Sequence, residues 1–422
     1  MSLKIRLSLM MILQFFIWGS WLITFSTYLI NTLNFTGTEV GKIYSSMALA
    51  SIIMPALIGI VADKWISAVR IFSLLHLISA VSLILVARSN NFTFIYYMMM
   101  LNFFAYMPTI SLSNTVSFIA MKNQGLQIGC HFPAIRALGT IGFIVAMWAV
   151  SLAGLEASRS QLYIAAIASL VLSIYSLTLP NISLDTERSS DNDIKIPSWL
   201  SRIGLDALCL FRKKHMALFM FFSMLLGSLL QVTNLFGSPF LHDLATPEAK
   251  ISNIFARYPS MLLSLSQISE VVFILIIPSV MRKFGIKPII MISMIAWCLR
   301  FTFFAYGNFS DTGMFFLISS MIVYGCAFDF FNIAGSMAVD LEVPAKIRAG
   351  AQGLFTTLVS GMGPCLGFII SGKLIDHLTI NGKRDWHTFW LSFAGYALCL
   401  LIVFLITYKN AGAVPLNVNA LD

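Results

Sequence analysis

The sequence predicts an all-α polytopic membrane protein of twelve transmembrane helices arranged as two six-helix halves. Three observations carry this. Of 422 residues, 58% are hydrophobic and only 11% are charged, against about 45–50% and about 25% in soluble domains. A mean hydropathy of +0.85 excludes an outer-membrane barrel, whose strands alternate apolar with polar residues. The apolar residues also gather into runs of about 20 residues, the length a helix needs to cross hydrocarbon. A water-soluble enzyme could not hide so much apolar surface, so lipid is the main solvent. Disordered, collagen-like and disulfide-scaffold classes are excluded by the same composition.

The runs fall, in order, at about 7–30, 39–62, 71–88, 93–121, 132–153, 161–179, 215–236, 259–280, 288–306, 313–339, 349–375 and 387–408. The first follows Lys4 and Arg6 as a signal peptide would. It continues through Gln14-Phe15-Phe16-Ile17-Trp18-Gly19-Ser20-Trp21 without a small-residue cleavage site, so it is expected to remain. The longest polar stretch, 180–214, separates runs six and seven and reads as a cytoplasmic linker. The expected organisation is therefore an N-terminal half (1–179), the linker (180–214) and a C-terminal half (215–422).

An even number of spans places both termini on one side. Seventeen of the 27 Lys and Arg fall on that side, eight on the other, and Arg136 and Arg300 lie within spans. The positive-inside rule puts both termini in the cytoplasm, the expected location being a bacterial inner membrane. The net charge of +9 sits in loops rather than on one face, which argues against a nucleic-acid partner. Six scattered cysteines without CxxC or Cys/His spacing imply neither disulfides nor a metal.

Two echoes suggest an internal duplication. Gly59-x-x-x-Asp63-Lys64 leads from run 2 into a basic loop, as Met281-Arg282-Lys283-Phe284-Gly285 leads from run 8. Arg136-Ala137 with Phe143 opens run 5, and Arg348-Ala349 with Phe355 opens run 11 after an offset of 212. Parallel repeats of this kind build transporters around a midplane site. The glycines of run 11 (Gly350, Gly353, Gly361, Gly363, Gly367, Gly372) have no Walker lysine and read as a close helix crossing.

Ionisable residues inside spans are costly and are functional candidates by default. Among 18 acids only Glu270 and Asp329 lie deep in a run; the basic candidates are Arg136, Arg300 and His76. Gln267 shares a helical face with Glu270, Gln231 with Asn234, Arg136 with Thr140 and Phe143, and Tyr324 with Phe328. Four such faces can converge on one cavity, where amides and a carboxylate suit hydroxyls and base edges and rings suit a flat heterocycle. Blander readings stand beside each: Arg136 snorkelling to the surface, the amides gluing helices together, the rings as ordinary packing, Arg300 and Asp329 as a buried ion pair, His76 as a satisfied interior histidine. No nucleophile–base pair, metal cluster or nucleotide loop is visible, so neither an enzyme nor a cofactor is expected.

Gly59-x-x-x-Asp63-Lys64 resembles the loop signature of the major facilitator superfamily, in which a carboxylate and basic residues at helix ends lock one conformation. Asp63 and Lys64 become gating candidates on that ground, the alternative being an ordinary basic loop. Four segments narrow the resemblance: Gln14 to Trp21, Asn102-Phe103-Phe104-Ala105-Tyr106-Met107-Pro108-Thr109, Phe132-Pro133-x-x-Arg136-x-x-Gly139-Thr140-x-Gly142-Phe143, and Tyr324-Gly325-Cys326-Ala327-Phe328-Asp329-Phe330-Phe331. Together with Gly204-Leu205-Asp206-Ala207 they resemble the bacterial nucleoside:proton symporters of that superfamily across nearly the whole chain. The resemblance implies nucleoside import driven by protons; alternating access in lipid and a monomeric working unit are the accompanying expectations. The resemblance places substrate contacts at Arg136, Thr140, Phe143, Gln231, Asn234, Gln267, Glu270, Tyr324 and Phe328. Independently of the resemblance, Glu270 is the expected proton carrier, because burial favours a protonated carboxyl and no obvious partner stands at its depth. Asp329, which Arg300 could keep ionised, is the rival. A proton-coupled efflux pump for drug-like amphiphiles is the alternative, and the amide-rich set Gln231, Asn234 and Gln267 favours a polyhydroxylated ligand over it.

Overall fold

A computed structural model describes residues 2–180, 205–343 and 347–407, and all twelve apolar runs coincide with helix. The helices are α1 (Leu3–Gly19), α2 (Gly37–Lys64), α3 (Ala68–Ala87), α4 (Phe92–Asn123), α5 (Ile128–Leu152) and α6 (Ser160–Ser176). They continue as α7 (Lys214–Leu230), α8 (Val232–Leu244), α9 (Pro259–Phe284), α10 (Ile286–Tyr306), α11 (Asp311–Glu342), α12 (Arg348–Thr357), α13 (Gly363–His377) and α14 (Trp386–Thr407). Among the described residues nine helical stretches, two of them running through the α7–α8 and α12–α13 junctions, are long and apolar enough to cross a membrane. Of the expected linker, residues 181–204 lie outside the described residues, and a short 3-10 segment, Leu205–Arg212, leads into α7. The chain packs as two units, Met1–Trp199 and Leu200–Asp422.

The first unit is organised around α1, which packs on α4, α5 and α6; α3 lies against α4 and α6, and α2 against α4. In the second unit α7 packs on α13 and α14, α10 on α11 and α14, and α9 on α11. This is the same neighbour pattern displaced by six spans, as a duplication requires. Small residues set the closest crossings in both. A Cβ on Gly19 would collide with the Phe143 backbone, and one on Gly142 with the Ile12 backbone, so α1 and α5 touch main chain to main chain. Gly227, Gly363 and Gly367 do the same between α7 and the α12–α13 rod, the close approach that the glycine run suggested.

The first helix of each unit is interrupted, where the hydropathy pattern predicts single runs. After α1 the chain passes through Ser20–Thr24 before helix resumes at Phe25–Thr27 and a π-helical turn at Tyr28–Thr32. The Ser20 hydroxyl donates to the Phe16 carbonyl (2.7 Å), and the Tyr44 hydroxyl donates to the Leu22 carbonyl (2.6 Å). The Leu22 carbonyl thus gains a side-chain donor where lipid supplies none, while the Ser20 hydroxyl adds to the amide bond already on the Phe16 carbonyl (3.0 Å). Between α7 and α8 the break is at Gln231, whose φ of −105° and ψ of −5° lie at the edge of the right-handed helical region. A second π-helical turn, Leu358–Met362, separates α12 from α13; such turns often mark functional places in helices.

Outside the spans, Thr36 and Glu39 form a reciprocal capping box that starts α2. A two-stranded hairpin, β1 (Thr379–Ile380) with β2 (Lys383–Arg384), precedes α14. Asp243, at the end of α8, accepts from Arg384 Nη1 (2.7 Å) and Trp386 Nε1 (2.9 Å) and ties the hairpin down. Asp385 caps α14, and hydrogen bonds from the Thr388 hydroxyl and amide hold its carboxyl below the ordinary carboxylate range. Bulky residues such as Ile167, Val171 and Ile174 remain exposed along one face of α6, a stripe suited to lipid.

The α1–α5 crossing gives a first prediction. Gly142→Val should lower unfolding stability by about 1–3 kcal/mol, because overpacking must push two backbones apart. Gly395→Val, where a Cβ meets open space, should change it little. Thermal unfolding of both variants in detergent is the measurement.

Candidate functional site

In the first unit, Arg136, Thr140 and Phe143 stand on one face of α5. Arg136 and Thr140 are half-buried and Phe143 is buried. The Arg136 guanidinium lies 4.1 Å from the centre of the Phe15 ring. It is therefore held over an aromatic face rather than snorkelling away, and the α1–α5 crossing fixes that geometry. Phe15 in turn stacks with Trp18, whose ring meets Tyr106 edge-on.

Beside this face runs a buried polar chain that reading the sequence alone did not assemble. Gln14 Nε2 donates to Thr109 Oγ1 (2.8 Å), whose hydroxyl donates to the Tyr106 carbonyl (2.6 Å). Gln14 Oε1 is therefore the acceptor facing His76 Nε2 at 2.8 Å, which puts a proton on that nitrogen. His76 Nδ1 lies 3.2 Å from Ser169 Oγ, and the Tyr106 hydroxyl donates to the Gln14 carbonyl at 2.5 Å. Gln14, His76, Thr109 and Ser169 are all inaccessible to solvent. His76 is thus a satisfied interior histidine that links α1, α3 and α6.

The second unit gathers most of the remaining candidates. Asn234 Nδ2 donates to Gln231 Oε1 (2.8 Å) across the α7–α8 break, and the Asn234 side chain hydrogen-bonds the Tyr324 hydroxyl. Tyr324 stacks on Phe328, with ring centres 5.5 Å apart and planes 20° apart. Glu270 and Asp329 lie within electrostatic reach of Tyr324 and of each other. Gln267 is half-buried one turn before Glu270 on α9. Amides, a phenol, a stacked ring pair and two carboxyls therefore share one neighbourhood, able to donate and accept hydrogen bonds, stack a planar ring and hold a proton.

One reading changes and one stays outside the described side chains. Arg300 and Asp329 do not pair: Arg300 reaches the Ser320 carbonyl (2.8 Å), Thr233 Oγ1 (3.2 Å) and, at a longer 3.4 Å, Ser266 Oγ. Arg300 Nε and Asp329 Oδ2 have no hydrogen-bond partner. Helix rotation explains this, since Arg300 points from α10 toward α8 and α9 while Asp329 lies more than two turns along α11 from Ser320. Asp63 and Lys64 close α2, but their side chains lie outside the described residues.

A family model described as nucleoside H+ symporter matches residues 1–412. The chain is 51% identical over 409 residues to xanthosine permease of Escherichia coli (strain K12), covering 97% of this chain and 96% of that protein. It is 47% identical, with the same coverage, to nucleoside permease NupG of Escherichia coli (strain K12). It superposes on the crystal structure of nucleoside transporter NupG with a TM-score of 0.92, over 97% of this chain and 100% of that one. Tetrameric PepTSo2, at 13% identity, shares the fold alone, with a TM-score of 0.68 over 96% of this chain and 95% of that one.

The buried chain centred on Gln14 yields a second prediction. Gln14→Ala leaves His76 and Thr109 short of a partner where water cannot replace it. Unfolding stability should fall by about 1–3 kcal/mol, read as a lower melting temperature in detergent.

Proposed function

This chain belongs to the nucleoside H+ symporter family, a multi-pass permease and not an enzyme, and from that premise we propose which residues carry its proton-coupled nucleoside import. Gln231, Asn234, Gln267 and Glu270 serve the ribose hydroxyls and polar base edges, and Tyr324 and Phe328 stack the base. Arg136, Thr140 and Phe143 are the proposed substrate contacts of the first unit. The observation that carries this reading is the Gln231–Asn234–Tyr324–Phe328 array. Its amides are half-buried, its ring pair is already stacked, and a carboxyl stands within reach. Such polarity suits a polyhydroxylated, heterocyclic substrate such as a purine or pyrimidine nucleoside better than a greasy cation.

Glu270 is the proposed proton carrier and Asp329 its rival. Protonation removes a negative charge that is costly at bilayer depth. Alternating access changes the water and cations facing that carboxyl, so it loads on one side and unloads on the other. Asp63 and Lys64 are the proposed gating pair at the end of α2. The basic-loop asymmetry supports both termini in the cytoplasm of a bacterial inner membrane, with a monomer as the working unit. The duplication supports halves at 1–179 and 215–422 joined by the linker 180–214.

Two measurements test this. Alanine at Gln231, Asn234 or Gln267 should each weaken nucleoside binding by about 1–3 kcal/mol, read by calorimetry on folded protein; unchanged uridine and adenosine affinity in all three would remove the substrate assignment. In proteoliposomes, Glu270→Gln should abolish nucleoside-induced proton uptake and accumulation while exchange survives. Normal alkalinisation in Glu270→Gln, with loss in Asp329→Asn, would move the proton to Asp329.

A further inference from the structure

Arg300 is 2% exposed, deep in the second unit, and no carboxylate of the described residues pairs with it. A buried charge in that position costs several kcal/mol unless its surroundings compensate, so the compensating groups show what it holds. Nη1 donates to the Ser320 carbonyl at 2.8 Å and, at 3.4 Å, to Ser266 Oγ; Nη2 donates to Thr233 Oγ1 at 3.2 Å. The Ser320 hydroxyl returns a bond to the Arg300 carbonyl (3.1 Å). The guanidinium carbon lies 4.3 Å from the Tyr324 ring centre and 5.2 Å from that of Phe304.

Apart from Phe304, each of these groups is, or is a neighbour of, a proposed substrate contact. Thr233 precedes Asn234. Ser266 precedes Gln267 and stands one turn before Glu270. Ser320 is one turn before Tyr324 on α11, and Tyr324 itself is under the guanidinium. One planar fork therefore joins α8, α9 and α11 at the heights from which they present their polar side chains.

We propose that Arg300 is a positioning residue for substrate recognition, which sets Asn234, Glu270 and Tyr324 in register by tying together the three helices that carry them. This rests on the assignment of those residues to the nucleoside. Lysine keeps the charge but is a single point donor on a flexible stem and cannot hold three elements at once. Removing the tie lets the three side chains lose register even when the helices still pack.

The test is nucleoside binding by calorimetry, with thermal unfolding measured alongside, for Arg300→Lys, Tyr324→Leu and the double variant, using uridine and adenosine. Arg300→Lys should weaken affinity by about tenfold or more. The double variant should lose clearly less than the product of the two single effects, because both act through one ring. Where Arg300→Lys does not fold, Thr233→Val with Ser266→Ala removes two of the guanidinium's acceptors, and the same loss of affinity is expected. Parent-like affinity in the folded Arg300→Lys or Thr233→Val/Ser266→Ala variant, with only the melting temperature lowered, would overturn the positioning role. Parent-like affinity in Tyr324→Leu as well would overturn the substrate assignment beneath it.

Discussion

At bilayer depth no water is available to satisfy a stray donor, acceptor or charge, and the rest of this structure depends on that constraint. It makes the chain helical, and it makes each departure from helix accountable. The carbonyl of Leu22, freed where the first helix breaks, receives the Tyr44 hydroxyl. The hydroxyls of Ser20, Ser46, Ser51 and Ser82 fold back onto carbonyls of their own helices. Some polar side chains far from the surface come in closed sets, such as Gln14 with His76, Thr109 and Ser169.

The same constraint separates structural from working polar groups. In the first unit the buried chain through Gln14 is internally satisfied and joins four helices, α1, α3, α4 and α6, while Arg136 on the adjacent face of α5 is held over Phe15. In the second unit the groups are less closed: Asp329 Oδ2 and Arg300 Nε have no hydrogen-bond partner, and two carboxyls lie within reach of one phenol. A permease that must release its cargo benefits from such a set, because polar groups fully committed to one another have nothing left for a substrate. The interruption at Gln231 adds to this, since an amide at a helix break is less constrained by the surrounding turns.

The two units repeat one neighbour pattern, and in each the first helix approaches the fifth through small residues. The packing frame repeats, while the polar side chains it carries differ. One unit holds a cation over an aromatic ring, and the other holds amides, carboxyls and a stacked ring pair. The echoes Arg136-Ala137 and Arg348-Ala349 are faint in the sequence because a repeated packing scheme needs glycines and apolar faces at corresponding heights, not the same residues.

The sequence by itself determined the class of molecule, its twelve helical runs, and which few ionisable residues needed an explanation. Run length and hydropathy are properties of the chain alone, and an acid within an apolar run announces itself. The shared faces Gln231–Asn234 and Tyr324–Phe328 were legible for the same reason, since helical periodicity places i, i+3 and i+4 neighbours together. What only the tertiary structure decided was who meets whom between helices. The pattern suggested an Arg300–Asp329 ion pair, yet Arg300 turns toward Thr233, Ser266 and Tyr324. His76 found Gln14 from 62 positions away, and the breaks after Gly19 and at Gln231 interrupt runs that read as continuous. Partners across helices depend on the rotation and height of each helix against its neighbours. Those are set by packing at places such as the Gly19–Phe143 contact, and no local pattern in the chain encodes them.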